Sequence, residues 1–323
     1  MMIELNEKNI RKGRAIGLPY QGSKKKISKK IVEIIKQNFG TDKPIYDIFG
    51  GGGAITAECM LNGLEVHYND LDRSITAMFE RVLATDREFL KTLIISRDEF
   101  FKIRDKENKT IDDELKLLVN SFGNKRKNYL YSEEFSELKY NLANEIIKNH
   151  DTFEGYKKTD TYKNALRIFD KGKEKKIQVL EQLTRLQQLQ HLQQLERLQQ
   201  LERLEQLERL EQLERLEQLE RLEVTNLDYT AFSDVESAIF YLDPPYEGTT
   251  QNGYKTGTFN SHSFYDWAYE MSKKNIVLIS SYEISDERFE CVYEFKNARS
   301  TLQGGTSNNK TEKLFMVKKG VIK

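Results

Sequence analysis

Residues 44–70 read PIYDIFGGGGAITAECMLNGLEVHYND. PIYDIF is a short apolar run of the kind that forms a buried strand, and Gly50–Gly53 form a turn. AITAECMLNG has the length of a helix closed by Gly63. EVHYND then alternates apolar and polar residues and ends in Asn69 and Asp70, as a second strand would. Strand, glycine turn, helix and strand open a βαβ unit, so two parallel strands are expected, followed by a helix from about Ser74 to Leu83. Similar text returns much later in SAIFYLDPPY, NIVLISSYE, RFECVYEF and KLFMVKKG, four further strand candidates. The fold class is therefore α/β, with a core split by an insertion.

The insertion has two parts. Residues 84–176 are rich in Lys, Asp, Glu, Asn and Tyr and show helical spacing in DDELKLLVNSF and EEFSELKYNLANEIIK, which predicts a separate helical module. Residues 177–223 are a low-complexity array in which leucine occupies every third position from Leu180 to Leu222. A three-residue step turns an α-helix by about 300°, so the leucines drift around it and form no fixed apolar face. Leu, Glu, Gln and Arg are nonetheless strong helix formers, and Glu205–Arg209, Glu211–Arg215 and Glu217–Arg221 are favourable pairs. A 3₁₀-helix would align the leucines but is uncommon beyond a few residues. We expect one long helix, dispensable for chemistry, with self-association as one use for its leucines. The expected organisation is a catalytic domain from 1–83 and 224–323, a recognition module at 84–176 and the array at 177–223.

Composition narrows the function. The 323 residues carry 51 basic and 51 acidic side chains, but the array holds ten Glu and six Arg, so the remainder is slightly basic. Lysines and arginines cluster between Lys8 and Lys30 and near the C-terminus, where they suit contact with phosphates. Cys59 and Cys291 have no paired spacing and the four histidines are scattered, which argues against a disulfide framework or a zinc site. No apolar run has membrane-spanning length and the first residues lack a hydrophobic signal core, so a cytoplasmic location is expected.

Asp243-Pro244-Pro245-Tyr246 follows the strand AIFYL, and open α/β sheets build their sites at the carboxyl ends of strands. Two prolines stiffen the loop and remove two backbone donors, leaving the Pro244 carbonyl to accept a hydrogen bond. An aromatic amine is a poor nucleophile because its lone pair is delocalised into the ring. A carboxylate and a carbonyl, each accepting one N–H, would draw that nitrogen toward tetrahedral geometry and stabilise the positive charge that develops on attack. Asp243 and Pro244 have those groups, and Tyr246 can stack on a base swung out of a duplex.

Asp47-Ile48-Phe49-Gly50-Gly51-Gly52-Gly53-Ala54 is a less specific signal, because dinucleotide-binding folds use such turns too. Asp70, at the end of the next strand, suits the acid that accepts ribose hydroxyls of an adenosine-containing cofactor. This pair fits NAD as well as S-adenosylmethionine; the DPPY loop decides for methyl transfer, since it has no evident part in moving a hydride.

Together these residues resemble the Dam-like, D12-class adenine-N6 DNA methyltransferases of bacteria and phages. Tyr20-Gln21-Gly22-Ser23-Lys24 is similar to that family's N-terminal cofactor motif, DIFGGGGA to its glycine motif, YND to its ribose-binding acid and DPPY to its catalytic motif. VTNLDY resembles the segment that contacts the cofactor adenine, and TEKLFM the closing strand. The resemblance implies a Rossmann-like S-adenosylmethionine-dependent methyltransferase fold that flips adenine out of double-stranded DNA and methylates N6. It implies Asp243, Pro244, Pro245 and Tyr246 as the catalytic loop. Tyr20, Gly22, Lys24, Asp47, Phe49, Gly50, Gly51, Gly52, Asp70, Asp228 and Tyr229 would form the cofactor site, with no metal. Within the recognition module, FGNKRKNYLY interleaves Lys125, Arg126 and Lys127 with Tyr129 and Tyr131, a composition suited to phosphate contact and base stacking.

Two alternatives stay open at this level. Cytosine N4 methylation shares the chemistry, although a serine in the first position of the tetrapeptide is commoner there. A non-catalytic interaction protein could use the leucine array, which an intact DPPY argues against. Cytosine C5 methylation needs a nucleophilic cysteine, and neither Cys59 nor Cys291 follows a proline in a loop after a strand.

Overall fold

The computed structural model describes residues 3–20, 22–153, 155–170, 222–247, 259–299, 311–318 and 320. The long helix expected for the leucine array, save Leu222, and Gln21 of the N-terminal motif lie outside the described residues. The chain divides into two compact units, Met1–Gly17, Gly22–Thr76 and Glu202–Lys323 forming one, Leu18–Gln21 and Ala77–Leu201 the other.

The first unit is built on a seven-stranded sheet: β1 (Ile45–Asp47), β2 (Val66–Asn69), β3 (Glu223–Thr225), β4 (Ile239–Leu242), β5 (Ile276–Ser281), β6 (Phe289–Arg299) and β7 (Thr311–Val317). Their order is β3-β2-β1-β4-β5-β7-β6. β1 to β5 run parallel, and β7 enters antiparallel between β5 and β6. Side chains alternate across β4, so Ile239 and Tyr241 face one core while Phe240 and Leu242 face the other. The first core is covered by α1 (Ser28–Phe39) and α2 (Ala54–Leu61) through Ile31, Ile34, Ile35, Ile55 and Cys59. The second is covered by α9 (Ser261–Met271) through Phe264, Ala268 and Met271. Burial on both faces explains why β4 is a continuous apolar run. This is the mixed α/β fold expected from the sequence, with β1 and β2 parallel as residues 44–70 predict, and it fits the Rossmann-like methyltransferase fold that the resemblance implies.

Chain order reverses between β1 and β4, and in open α/β sheets such a switch point opens a crevice at the carboxyl ends of the strands. Asp47, Asp70 and Asp243 sit at or just beyond the ends of β1, β2 and β4, on that edge. The antiparallel β7 begins at the same edge, because Ser281 at the end of β5 pairs with Lys313.

The second unit is helical, as its spacing predicts. After α3 (Arg73–Leu83), which crosses the unit boundary, come α4 (Arg87–Lys91), α5 (Arg97–Arg104), α6 (Ile111–Val119), α7 (Glu133–His150) and α8 (Asp160–Asp170). Ser96 and Thr110 cap the starts of α5 and α6, and Thr110 forms a reciprocal capping box with Asp113. Ile95, Phe100, Ile103, Leu117, Tyr129 and Tyr131 form a local core.

The glycine turn admits no side chain at its first position. A Cβ on Gly50 would lie 2.3 Å from the ring of Tyr68, which is fully buried and donates its hydroxyl to the Gly51 carbonyl at 2.6 Å. Gly50→Ala should therefore destabilise the protein by about 1–3 kcal/mol, the usual penalty of overpacking. A thermal melt checks it, and an unchanged midpoint would show that Tyr68 moves aside freely.

Candidate active site

The β1–α2 connection is held by polar bonds at both ends. The Asp47 carboxylate, 1% exposed, accepts from the Thr56 backbone N–H at 3.1 Å and its hydroxyl at 2.7 Å, pinning the strand end to the first turn of α2. Asp70 accepts from Gly51 N at 2.8 Å through Oδ2 and from Asp72 N at 2.8 Å through Oδ1. Burial pushes Asp47 up to about 7 and Asp70 up to about 6, against the hydrogen bonds that favour their charged forms. Next door, Asn69 receives Thr225 Oγ1 and Leu227 N, each at 2.8 Å, and Asn226 donates to the Asp70 carbonyl at 3.0 Å. The edge strand β3 thereby fixes the loop that contains Leu227 and Asp228 beside Asp70.

Leu71 and Leu227, 46% and 47% exposed, are two of the three exposed large apolar residues among those described; Leu71 follows Asp70 in the chain, and the Leu227 N–H is held by Asn69. Phe49 and Tyr229 lie 6.1 Å apart within an aromatic cluster that includes Phe264 and Trp267. Asp228 caps the following turn by accepting from Thr230 N at 3.0 Å. Tyr20 groups with the second unit.

The DPPY loop leaves β4 at the same edge. Asp243 Oδ2 lies 2.7 Å from Lys24 Nζ, and Asp243 Oδ1 accepts from the Tyr246 hydroxyl at 3.0 Å. Lys24 Nζ also lies 3.2 Å from Glu312 Oε1 at the start of β7. The Tyr246 hydroxyl bonds Glu312 as well, and Ser280 at the end of β5 donates to the same Oε1 at 2.9 Å. The Tyr246 ring meets Tyr282 edge to face at 4.8 Å. Burial would discharge Lys24, but Asp243 and Glu312 outweigh it and keep the ammonium well above its ordinary range. Burial raises Asp243 to about 6 against the pull of Lys24, with Glu312 adding to the rise. The Tyr241 hydroxyl, 1% exposed with no hydrogen-bond partner among the described residues, feels the same charges.

Lys24, which the resemblance assigns to the cofactor site, pairs with Asp243 of the DPPY loop. Glu312, Ser280 and Tyr282 were not singled out from the sequence. Glu312 lies in the quoted TEKLFM, but nothing local distinguishes an acid that starts a strand.

In the second unit, Phe122 to Tyr129 form a hairpin tip closed by a bridge between Ser121 and Tyr129. Tyr129 and Tyr131 turn inward, 6% and 8% exposed, and Tyr129 donates to the Ile95 carbonyl at 3.1 Å. The Arg126 guanidinium is paired with Glu114 at 2.6 Å. Phe122, 68% exposed, is the outward aromatic, and Lys125 and Lys127 are exposed beside it. Gly123, Asn124 and Arg126 have φ of 62°, 57° and 60°, and left-handed non-glycine residues of this kind cluster at functional sites.

The strand order, the glycine turn with Asp70 and the DPPY loop define a Rossmann-like methyltransferase. Residues 20–298 match the D12 class N6 adenine-specific DNA methyltransferase family, and the chain belongs to it. The protein is an adenine-specific DNA methyltransferase and its substrate is DNA. No curated protein matches the chain. Among the described residues no cluster of His, Cys, Asp or Glu suits a metal ion, and no helix is long and apolar enough to cross a membrane.

The raised Asp47 has a measurable consequence. An acid whose native pKa exceeds its unfolded value binds more protons when folded, so its contribution to stability falls as pH rises from about 4 to about 7. Asn keeps the acceptor oxygen for Thr56 and removes the buried charge. Asp47→Asn should gain melting temperature over the wild type as pH rises, by about 2 °C or more at pH 8. An equal difference at pH 5 and pH 8 would show that Asp47 stays charged throughout.

Proposed function

We propose that the protein uses S-adenosylmethionine to methylate N6 of an adenine flipped out of double-stranded DNA, in the crevice between the glycine turn and the DPPY loop. The observation that supports this reading is Asp243 at the end of β4, on the same sheet edge as Asp70. Asp70 would accept the ribose hydroxyls, Leu71 and Leu227 would border the adenine ring, and Phe49 and Tyr229 would back it. Gly50, Gly51 and Gly52 let the backbone approach, Asp47 holds that turn, and Gly22 would close the site from the N-terminal motif. Bound there, the sulfonium supplies an electrophilic methyl group.

Asp243 and the Pro244 carbonyl would accept the two N–H bonds of the target amine, fixing its lone pair toward the methyl carbon. Pro245 keeps the loop stiff. Tyr246 would stack on the extruded base, worth about 1–3 kcal/mol, which offsets part of the unstacking cost. The second unit would be the recognition module, with Lys125 and Lys127 on phosphates and Phe122 stacking at the helix. Arg126, Tyr129 and Tyr131 would brace that hairpin from within.

Three measurements test this reading. Asp243→Ala should abolish methyl transfer, measured on DNA with labelled methyl donor, while donor affinity by calorimetry stays within about threefold; near-normal turnover would sink the mechanism. Asp70→Ala should weaken donor binding by about 1.5–3 kcal/mol, the worth of a hydrogen bond to a charged group, and an unchanged Kd would move the ribose to another acid. Lys125→Ala with Lys127→Ala should lower the salt slope of DNA binding by about 0.9 per lost phosphate contact, while Phe122→Ala should weaken binding at unchanged slope. A double variant with the wild-type slope would place the DNA elsewhere.

A further inference from the structure

Asp243 is not idle in this structure. Both oxygens are engaged, Oδ2 by Lys24 at 2.7 Å and Oδ1 by Tyr246 at 3.0 Å. The chemistry proposed above needs this carboxylate to accept an N–H from the target amine, and a carboxylate neutralised by a buried ammonium is a weakened acceptor. Glu312 lies within reach of the same two donors, 3.2 Å from Lys24 Nζ and bonded to the Tyr246 hydroxyl. A tyrosine hydroxyl has one proton and can donate it to only one carboxylate at a time. Ser280 donates to Glu312 Oε1 at 2.9 Å and so holds the second carboxylate in place for them.

We propose that Glu312 is a positioning residue for methyl transfer: it takes Lys24 and the Tyr246 hydroxyl from Asp243 when the target amine arrives, so that Asp243 can accept the amine N–H. The inference rests on the reading of Asp243 as the amine acceptor. The transfer requires little motion, since Lys24 already spans the two carboxylates. It also keeps every charge compensated, because the buried ammonium is never left without an anion. Glu312 lies beyond the segment 20–298 that the family match covers.

The groups that face Glu312 are Lys24 from the N-terminal segment, Asp243, Tyr246 and Tyr241 from β4 and its loop, and Ser280 from β5. Glu312 raises the proton affinity of Asp243, so removing its charge must lower it. Glu312→Gln keeps the length and an acceptor oxygen for Ser280. It should lower kcat about 10- to 100-fold, the scale of a misplaced reacting group, with KM for DNA and donor Kd within about threefold, a split that a merely structural role would not produce. The acid limb of the kcat–pH profile should move to lower pH, as loss of the charge beside Asp243 requires. A kcat near the wild-type value, or an acid limb that does not move, would overturn the proposal. If Glu312→Gln does not fold, judged by thermal melting, Glu312→Asp carries the same test, since its shortened carboxylate should leave Lys24 on Asp243 and reduce kcat at constant KM. Asp243→Ala run alongside separates the two readings. Its normal turnover would refute the role of Asp243 itself, whereas an inactive Asp243→Ala beside a fully active Glu312→Gln would refute only the transfer of donors.

Discussion

One buried ammonium, Lys24, is shared between two carboxylates at the carboxyl edge of the sheet. An unpaired charge there would be costly, and the pairing ties three segments far apart in the chain to one point: the N-terminal turn at Lys24–Lys26, the loop after β4 and the start of β7. Two carboxylates against one ammonium leave the pocket with an excess negative charge. That excess would suit the proposed reaction, in which positive charge moves from a sulfonium to an amine, and it would act through groups already in place.

The opposite wall of the crevice follows a related logic. Asp47 and Asp70 are held at raised pKa by burial, yet both are tied by backbone donors, so the glycine turn is rigid before any ligand enters. Tyr68 packs where a Cβ on Gly50 would stand, which leaves the turn no alternative position. Stability is given up at these acids, the exchange expected if they form a preformed site.

The second unit solves a different problem. A hairpin proposed to meet DNA must present its tip without collapsing. The inward Tyr129 and Tyr131, the Arg126–Glu114 pair and Asn120, whose side chain binds the Leu93 and Lys116 carbonyls at 2.7 Å each, provide the brace. Phe122 and the exposed lysines are then free to face a partner.

The sequence by itself determined the βαβ opening, the parallel strands β1 and β2, the helical module and the placement of DPPY at a strand end. Each of these is written in local periodicity or in residues whose backbone preferences are strong, such as Gly50–Gly53 and Pro244-Pro245. It also determined the chemistry that Asp243 and Asp70 can offer, because both follow strands at a recognisable spacing. Only the tertiary structure decided which aromatic of FGNKRKNYLY faces outward, since a hairpin places its side chains on two faces and the packing against Ile95, Phe100 and Leu117 selects the inner one. Only the tertiary structure brought in Glu312, which stands beside Lys24 because β7 runs antiparallel to β5 and so begins where β5 ends. Strand direction and register are set by hydrogen bonds between segments distant in the chain, and no local pattern of residues encodes them.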